Sequence, residues 1–381
     1  MKDKLYFLSL SFCLLCFSCS AGTVETEKRI SCIVERDTID TRHYFYVNGF
    51  FENNSGIYFY GLKVDTIFLY KENAGGHFEL NSYILLPKQY AQQYSDTDNI
   101  AYIEQLIFIN MDSIIIFHQN HLALFSVKQD SVFKKFYHSR DNDWFNFVAR
   151  GETFLRWNKK RKTLPLVIYR WDNHDIRKWR GDTEIVGEYS FEKDTFFYFP
   201  VKLPYDPYNN PLKTDYCGNA DELFAFNGDT FVISFQITPA TYLYNAASNR
   251  IDSLFLQNST YITLQEADTA RARDISRENY MDELQLENNY YSAIVYDEYK
   301  QVYYRFFSKA MPRKNAEGLL NTWEDKESGL TVLDNNLQII GDVLWSNADN
   351  LLTPHYPTSK GVYEYHDEKG IIYKRKLSYE K

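Results

Sequence analysis

Three groupings of residues have types and spacings that suggest chemistry. His118-x-x-His121 sets two imidazoles three positions apart, close enough on a turn to share a metal ion. No carboxylate follows until Asp130, so two exposed turn histidines are the competing reading. Asp96-Thr97-Asp98-Asn99 and Asp141-Asn142-Asp143 look like fragments of calcium loops. A calcium ion takes about six to eight oxygens, and the helix–loop–helix site has a central Gly and a closing Glu. Neither fragment has these, and such clusters are also ordinary turn formers. Cys13, Cys16 and Cys19 have the spacing of metal ligands but sit in an apolar run with no Asp, Glu or His beside them. Phosphate-binding, dinucleotide, zinc-protease and serine-hydrolase signatures are absent, so no metal or other cofactor is expected. A site assembled from distant segments would leave no such local signature, which keeps an enzyme open.

Other residues suit binding rather than catalysis. Trp144, Trp157, Trp171 and Trp179 fall in one stretch that also holds Arg161, Lys162, Arg177 and Lys178. Indole faces and cations together could form a ligand face. In Tyr303-Tyr304-Arg305, strand alternation puts Tyr303 and Arg305 on one side, where Arg can stack or bind a carboxylate. The simpler alternative for these rings is that Tyr and Phe are good strand formers that fill a core. Asp followed by Ser or Thr and a small or branched apolar residue recurs at Thr38, Thr66, Ser113, Ser131, Ser253 and Thr269, a pattern that resembles an O-glycan acceptor. Leaving a turn and entering a strand requires the same residues.

Whatever chemistry they do, these residues must be held by the elements around them. The chain has 381 residues, of which 17% are aromatic, and only 16 are Gly, so it can bury a large core and is not disordered. Its net charge of −9 argues against nucleic acid as a partner. Lys2 and Lys4 precede the apolar run Leu5–Phe17, which is too short to span a bilayer core of about 30 Å. It reads as a signal peptide over residues 1–18. Cys16-Phe17-Ser18-Cys19 resembles a lipoprotein box, with lipid on Cys19, although Cys16 stands where Leu is usual. Cleavage by ordinary signal peptidase is the alternative. Residues 19–40 are then a lipidated tether and first strand, and 41–381 the folded domain. Cys32 and Cys217 remain, with pairing left open.

Leu106–Ile116 (LIFINMDSIII) and Leu223–Ile233 (LFAFNGDTFVI) align without a gap at an offset of 117. Each reads strand, Asn-x-Asp-Ser/Thr turn, strand, and Asn227-Gly228 is a strong hairpin signal. Two further strands follow each copy, ending Asp130–Phe133 and Asp252–Phe255. Partial copies recur at Asp65–Leu80, Asp194–Tyr198, Ser292–Phe307 and Leu330–Ile340. Four-stranded units at this spacing predict a β-propeller, six blades favoured and seven allowed, over a pair of β-sandwiches. Residues 266–284, with mixed charges at helical spacing, read as a short helical insertion.

A lipoprotein leader joined to such a chain, with Val295–Phe307 (VYDEYKQVYYRFF), Leu330–Asp334 and Gly361–Tyr365, resembles an uncharacterised family of gut Bacteroidales lipoproteins. That family carries a domain of unknown function with a six-bladed propeller-like fold. The resemblance implies fold and location, and it supplies no catalytic residues. The expected protein is thus a lipid-anchored envelope propeller that binds or scaffolds a protein or glycan partner. The alternative is an enzyme acting on a glycan or peptide in the central channel. Ser20 after the lipid Cys lacks the retention signal Asp, which favours the outer membrane.

Overall fold

The computed structural model describes residues 30–39, 45, 47–90, 103–118, 121–137, 139–140, 143–146, 155–167, 169–172, 184–202, 222–235, 240–255, 286–287, 290–322, 325–345, 355–366 and 370–378. Nearly all of them are strand and turn. Six small antiparallel sheets form a ring, each a blade of a six-bladed β-propeller.

Blade 1 comprises Val47–Asn53, Gly56–Lys63, Thr66–Glu72 and Phe78–Leu85 from the channel outward. Blade 2 comprises Ile103–Phe108, Ser113–His118, His121–Ser126 and Ser131–Tyr137. Blade 3 comprises Leu164–Val167, Val186–Ser190 and Thr195–Tyr198, with residues 155–158 on the channel side held by a bridge between Asn158 and Thr163. Blade 4 comprises Glu222–Asn227, Thr230–Phe235, Ala240–Asn245 and Arg250–Phe255. Blade 5 comprises Tyr290–Asp297, Val302–Ser308, Ser328–Leu333 and Ile339–Trp345. Blade 6 comprises Tyr356–Thr358, Gly361–His366 and Ile371–Ser378, and its outermost strand is Ser31–Thr38 from the other end of the chain. A further small sheet pairs Ser139–Arg140, Asp143–Asn146 and Tyr169–Asp172. The aligned copies at offset 117 are the first hairpins of blades 2 and 4, so the offset spans two blades.

Apolar side chains fill the spaces between successive blades. Leu62, Ile67 and Leu69 of blade 1 pack on Leu106, Ile114 and Ile116 of blade 2. Val232 of blade 4 meets Tyr303 and Phe307 of blade 5. Phe59 of blade 1 meets Tyr363 and Tyr365 of blade 6. Burial of each such side chain is worth about 1.5–3 kcal/mol. Because both faces of a blade are covered, the strands read as nearly continuous apolar runs, as in Ser113–His118.

Three expectations change. Ser31–Thr38 is a blade strand, pairing with Ile371–Ser378, so the propeller begins at residue 31 rather than 41. Its partner lies at the far end of the chain, and no local pattern announces it. Tyr303 and Arg305 share a face, but that face is covered: they are 1% and 2% exposed. The Arg305 guanidinium lies 3.4 Å from the centre of the Tyr291 ring, within the blade 4–blade 5 contact. His118 and His121 are not exposed turn residues. They are buried, their rings stacked at 4.5 Å, with His121 Nε2 3.1 Å from the Tyr90 hydroxyl. Residues 266–284, Cys19, Cys217 and Asp96–Asn99 lie outside the described residues. Cys32 is half-buried and carries no disulfide among the described residues.

The first strand of every blade runs in the same sense along the channel and ends in the turn to its second strand. In blade 6, Thr358 and Gly361 flank that turn, and Ser378 ends the third strand at the same end of the ring. The pairing of Ser31 with Ser378 therefore brings the N-terminal strand in at this end as well.

Candidate functional site

A device repeats among the six inner turns. In five of them a short polar side chain closes the inner strand and accepts hydrogen bonds from amides of the turn, the Asx or ST motif. Asn53 Oδ1 takes the Ser55 amide at 2.8 Å, and Asn110 Oδ1 takes those of Asp112 and Ser113 at 2.8 and 2.9 Å. Asn158 Oδ1 takes the Arg161 amide at 3.2 Å, and Asp297 Oδ1 takes those of Tyr299 and Lys300 at 2.9 and 3.0 Å. Thr358 Oγ1 takes the Lys360 amide at 3.2 Å. In blade 4 the two-residue loop is Gly228-Asp229, one position later than the Asn-Gly signal suggests. Gly228 supplies the left-handed conformation itself, at φ 59°.

One or two residues before each of these turns stands an aromatic residue: Phe51, Phe108, Trp157, Phe226, Tyr296 and Tyr356. All six line a cavity of about 360 Å³ at this end of the channel. Phe51 and Phe108 stack face to face, 4.2 Å between centres and 4° between planes, and Tyr58 continues the stack behind Phe51. Trp157 also packs near Phe191 of blade 3.

Polar groups cross the collar. Arg156 reaches over the channel from blade 3, with Nη1 3.5 Å from the Tyr296 carbonyl of blade 5 and Nη2 3.2 Å from the His355 carbonyl of blade 6. Burial lowers its pKa from the usual guanidinium value, partly offset by Tyr356 and the carboxylates of blade 5. Nearer the mouth, Lys159 Nζ pairs with Glu298 at 3.3 Å, both largely exposed. Glu52 accepts the Ser359 amide at 2.8 Å and a hydrogen bond from Tyr299. Burial, and then that bond to Glu52, raise the Tyr299 hydroxyl well above the usual phenol range.

Behind the collar, neighbouring turns are clamped together. Arg161 Nε reaches both oxygens of Glu188 at 3.0 and 2.9 Å, and its Nη1 reaches Asp229 at 2.9 Å. Lys160 pairs with Asp229 at 2.6 Å, and Asn158 Nδ2 donates to the Gly228 carbonyl at 2.7 Å. These contacts join blades 3 and 4.

Of the sequence candidates, Trp157 lies in this cavity. The strands carrying Trp144 and Trp171 pair those two residues in the small separate sheet, and Trp179 lies outside the described residues. Tyr303 and Arg305 are buried elsewhere. Among the acceptor-like hydroxyls, Thr38 and Ser253 are exposed, Thr66, Ser113 and Ser131 are half-buried, and Thr269 lies outside the described residues. Sequence reasoning missed Arg156 and five of the six rings. The available signal was an aromatic residue recurring just before a polar turn residue, as in Phe51-Glu52-Asn53, Phe108-Ile109-Asn110, Phe226-Asn227 and Tyr296-Asp297. Among the described residues no His, Cys, Asp and Glu group is arranged to hold a metal, and no helix is long and apolar enough to cross a membrane.

Residues 189–343 match the model of a domain of unknown function, DUF4221. The chain is similar to the crystal structure of a member of that family from Bacteroides vulgatus, with a TM-score of 0.69 and 13% identity, over 93% of this chain and 100% of the other. A lesser likeness is to the β-propeller domain of Cps50 (Swd1) from Myceliophteria thermophila, with a TM-score of 0.40 and 8% identity, over 92% and 100% of the two chains. Another is to the extracellular domain of a B. thetaiotaomicron protein, with a TM-score of 0.38 and 10% identity, over 86% of this chain and 32% of that one. No curated protein matches. The expected resemblance to a family of unknown function with a six-bladed propeller fold is thus found.

Proposed function

We propose that the protein is an envelope binding module, held by lipid on Cys19, that receives its ligand in the collar end of the channel. The observation that carries this reading is the convergence of one ring from each of six blades on a single cavity crossed by Arg156. Each of these rings packs on the apolar core on one side and lines the cavity on the other, so the core holds them in place around it. Concave sites lined by rings with a few placed polar groups are the usual form of a small-ligand site. The cavity is near the lower end of the range of about 300–1,000 Å³ for such sites. It suits a small molecule or the end of a chain rather than a folded partner.

The test is position-specific crosslinking in intact cells. A photoreactive phenylalanine analogue replaces Tyr299, on the cavity rim, or Tyr83, exposed on the outermost strand of blade 1. A discrete adduct at position 299 that is missing at position 83 is expected. Identical patterns at the two positions, or none at 299, would sink the proposal.

A further inference from the structure

We infer that the collar takes the end of a neutral, hydroxyl-rich carbohydrate chain, an inference that rests on the channel end being a ligand site. Three observations narrow the ligand. First, five of the six rings are half-exposed, Tyr356 being buried, and they are arranged around the cavity rather than in one flat patch, so a saturated ring entering end-on meets apolar ring edges and faces on several sides. Sugar rings carry C–H faces that suit this, with hydroxyls at their edges.

Second, the site holds charges of both signs close together. Lys159 is paired with Glu298 and Lys160 with Asp229, Arg156 lies in the field of Asp297 and Glu298, and the Glu52 carboxylate takes bonds from Ser359 and Tyr299. A charged ligand gains most where a site holds uncompensated opposite charge. Hydroxyls donate and accept, so they fit a rim where both kinds of group already alternate.

Third, part of the main-chain route to a peptide is taken up. An extended peptide recognised by strand addition needs bare carbonyls and amides along a strand edge. On the channel edge of blades 5 and 6, Arg156 already engages the carbonyls of Tyr296 and His355.

The experiment is calorimetric titration of the purified protein with short neutral gluco-, manno-, galacto- and xylo-oligosaccharides. Oligogalacturonates and short peptides are run beside them. At least one neutral series binds, and raising the salt concentration changes its affinity by less than about twofold, since no ion pair forms on binding. Trp157→Ala weakens that binding about tenfold, the scale of one lost stacking contact. Tyr299→Ala, at an exposed rim position, serves as a second variant should the first fail to fold. Binding by only the acidic chains or the peptides overturns the carbohydrate assignment and leaves the site standing, provided the 299 crosslink is found. Absence of neutral binding also overturns it, as does neutral binding that both variants leave unchanged. Absence of the 299-specific adduct overturns the site itself.

Discussion

Glu364 holds two buried partners on one carboxylate. Arg375 Nε lies 2.8 Å from Oε1 and its Nη2 3.1 Å from Oε2, while His355 Nδ1 is 2.9 Å from Oε1. Burial alone would raise the Glu364 pKa, but Arg375, with His355, outweighs it and holds the carboxyl at about 2. The folded value lies below the unfolded one. The associated stability is therefore complete above the unfolded pKa and drains as pH falls from about 5 toward 2, by about 3 kcal/mol in all. Glu364→Gln leaves Arg375 buried without its counter-charge and should cost about 3–5 kcal/mol at pH 7. Urea unfolding across an acid series checks both points, because the gap between wild type and variant should narrow as pH falls. A gap of constant size would show that charge on Glu364 is not the source. The same residue matters for the site, since His355 precedes Tyr356 of the collar and its carbonyl receives Arg156.

At the scale of the element, the ring depends on a strand from the opposite end of the chain. Removing residues 1–38 would leave Ile371–Ser378 with a bare edge, the usual template for aggregation. The truncated chain should lose its single cooperative calorimetric transition and form higher-order species in size-exclusion chromatography. A monomer with an unchanged transition would show that this joint is dispensable. The blade hairpins were legible because their turns carry their own chemistry: Asn110 and Asp112, and Gly228 and Asp229, mark their positions without reference to the rest of the molecule. The closing strand was not, because its pairing is set by ring closure. Tyr303 and Arg305 misled for a related reason. Alternation along a strand separates two faces, but in a blade both are covered, so a charged residue there need not point to solvent. Gly329 belongs to the same scale. A Cβ on it would lie 2.3 Å from the Val343 carbonyl oxygen, so Gly329→Ala should destabilise by about 1–3 kcal/mol, as measured by urea unfolding. A change within error would mean that the two strands part at no cost.

The whole molecule raises the question of attachment. If Cys19 carries the lipid, Cys19→Ala should move the protein from the membrane fraction to the soluble one and remove the lipid mass from its N-terminal peptide. Retention with membranes and an unchanged mass would refute the anchor. Ser31 enters blade 6 at the end of the ring where the collar opens. Between Cys19 and Ser31 a fully stretched chain reaches about 40 Å at most. A propeller on so short a leash has a ceiling on its height above the bilayer, with its open mouth on the leashed side. Whatever enters must then come up from the membrane or slip in beneath the ring, so the attachment point would decide which chains are within reach as firmly as the rings decide which are held.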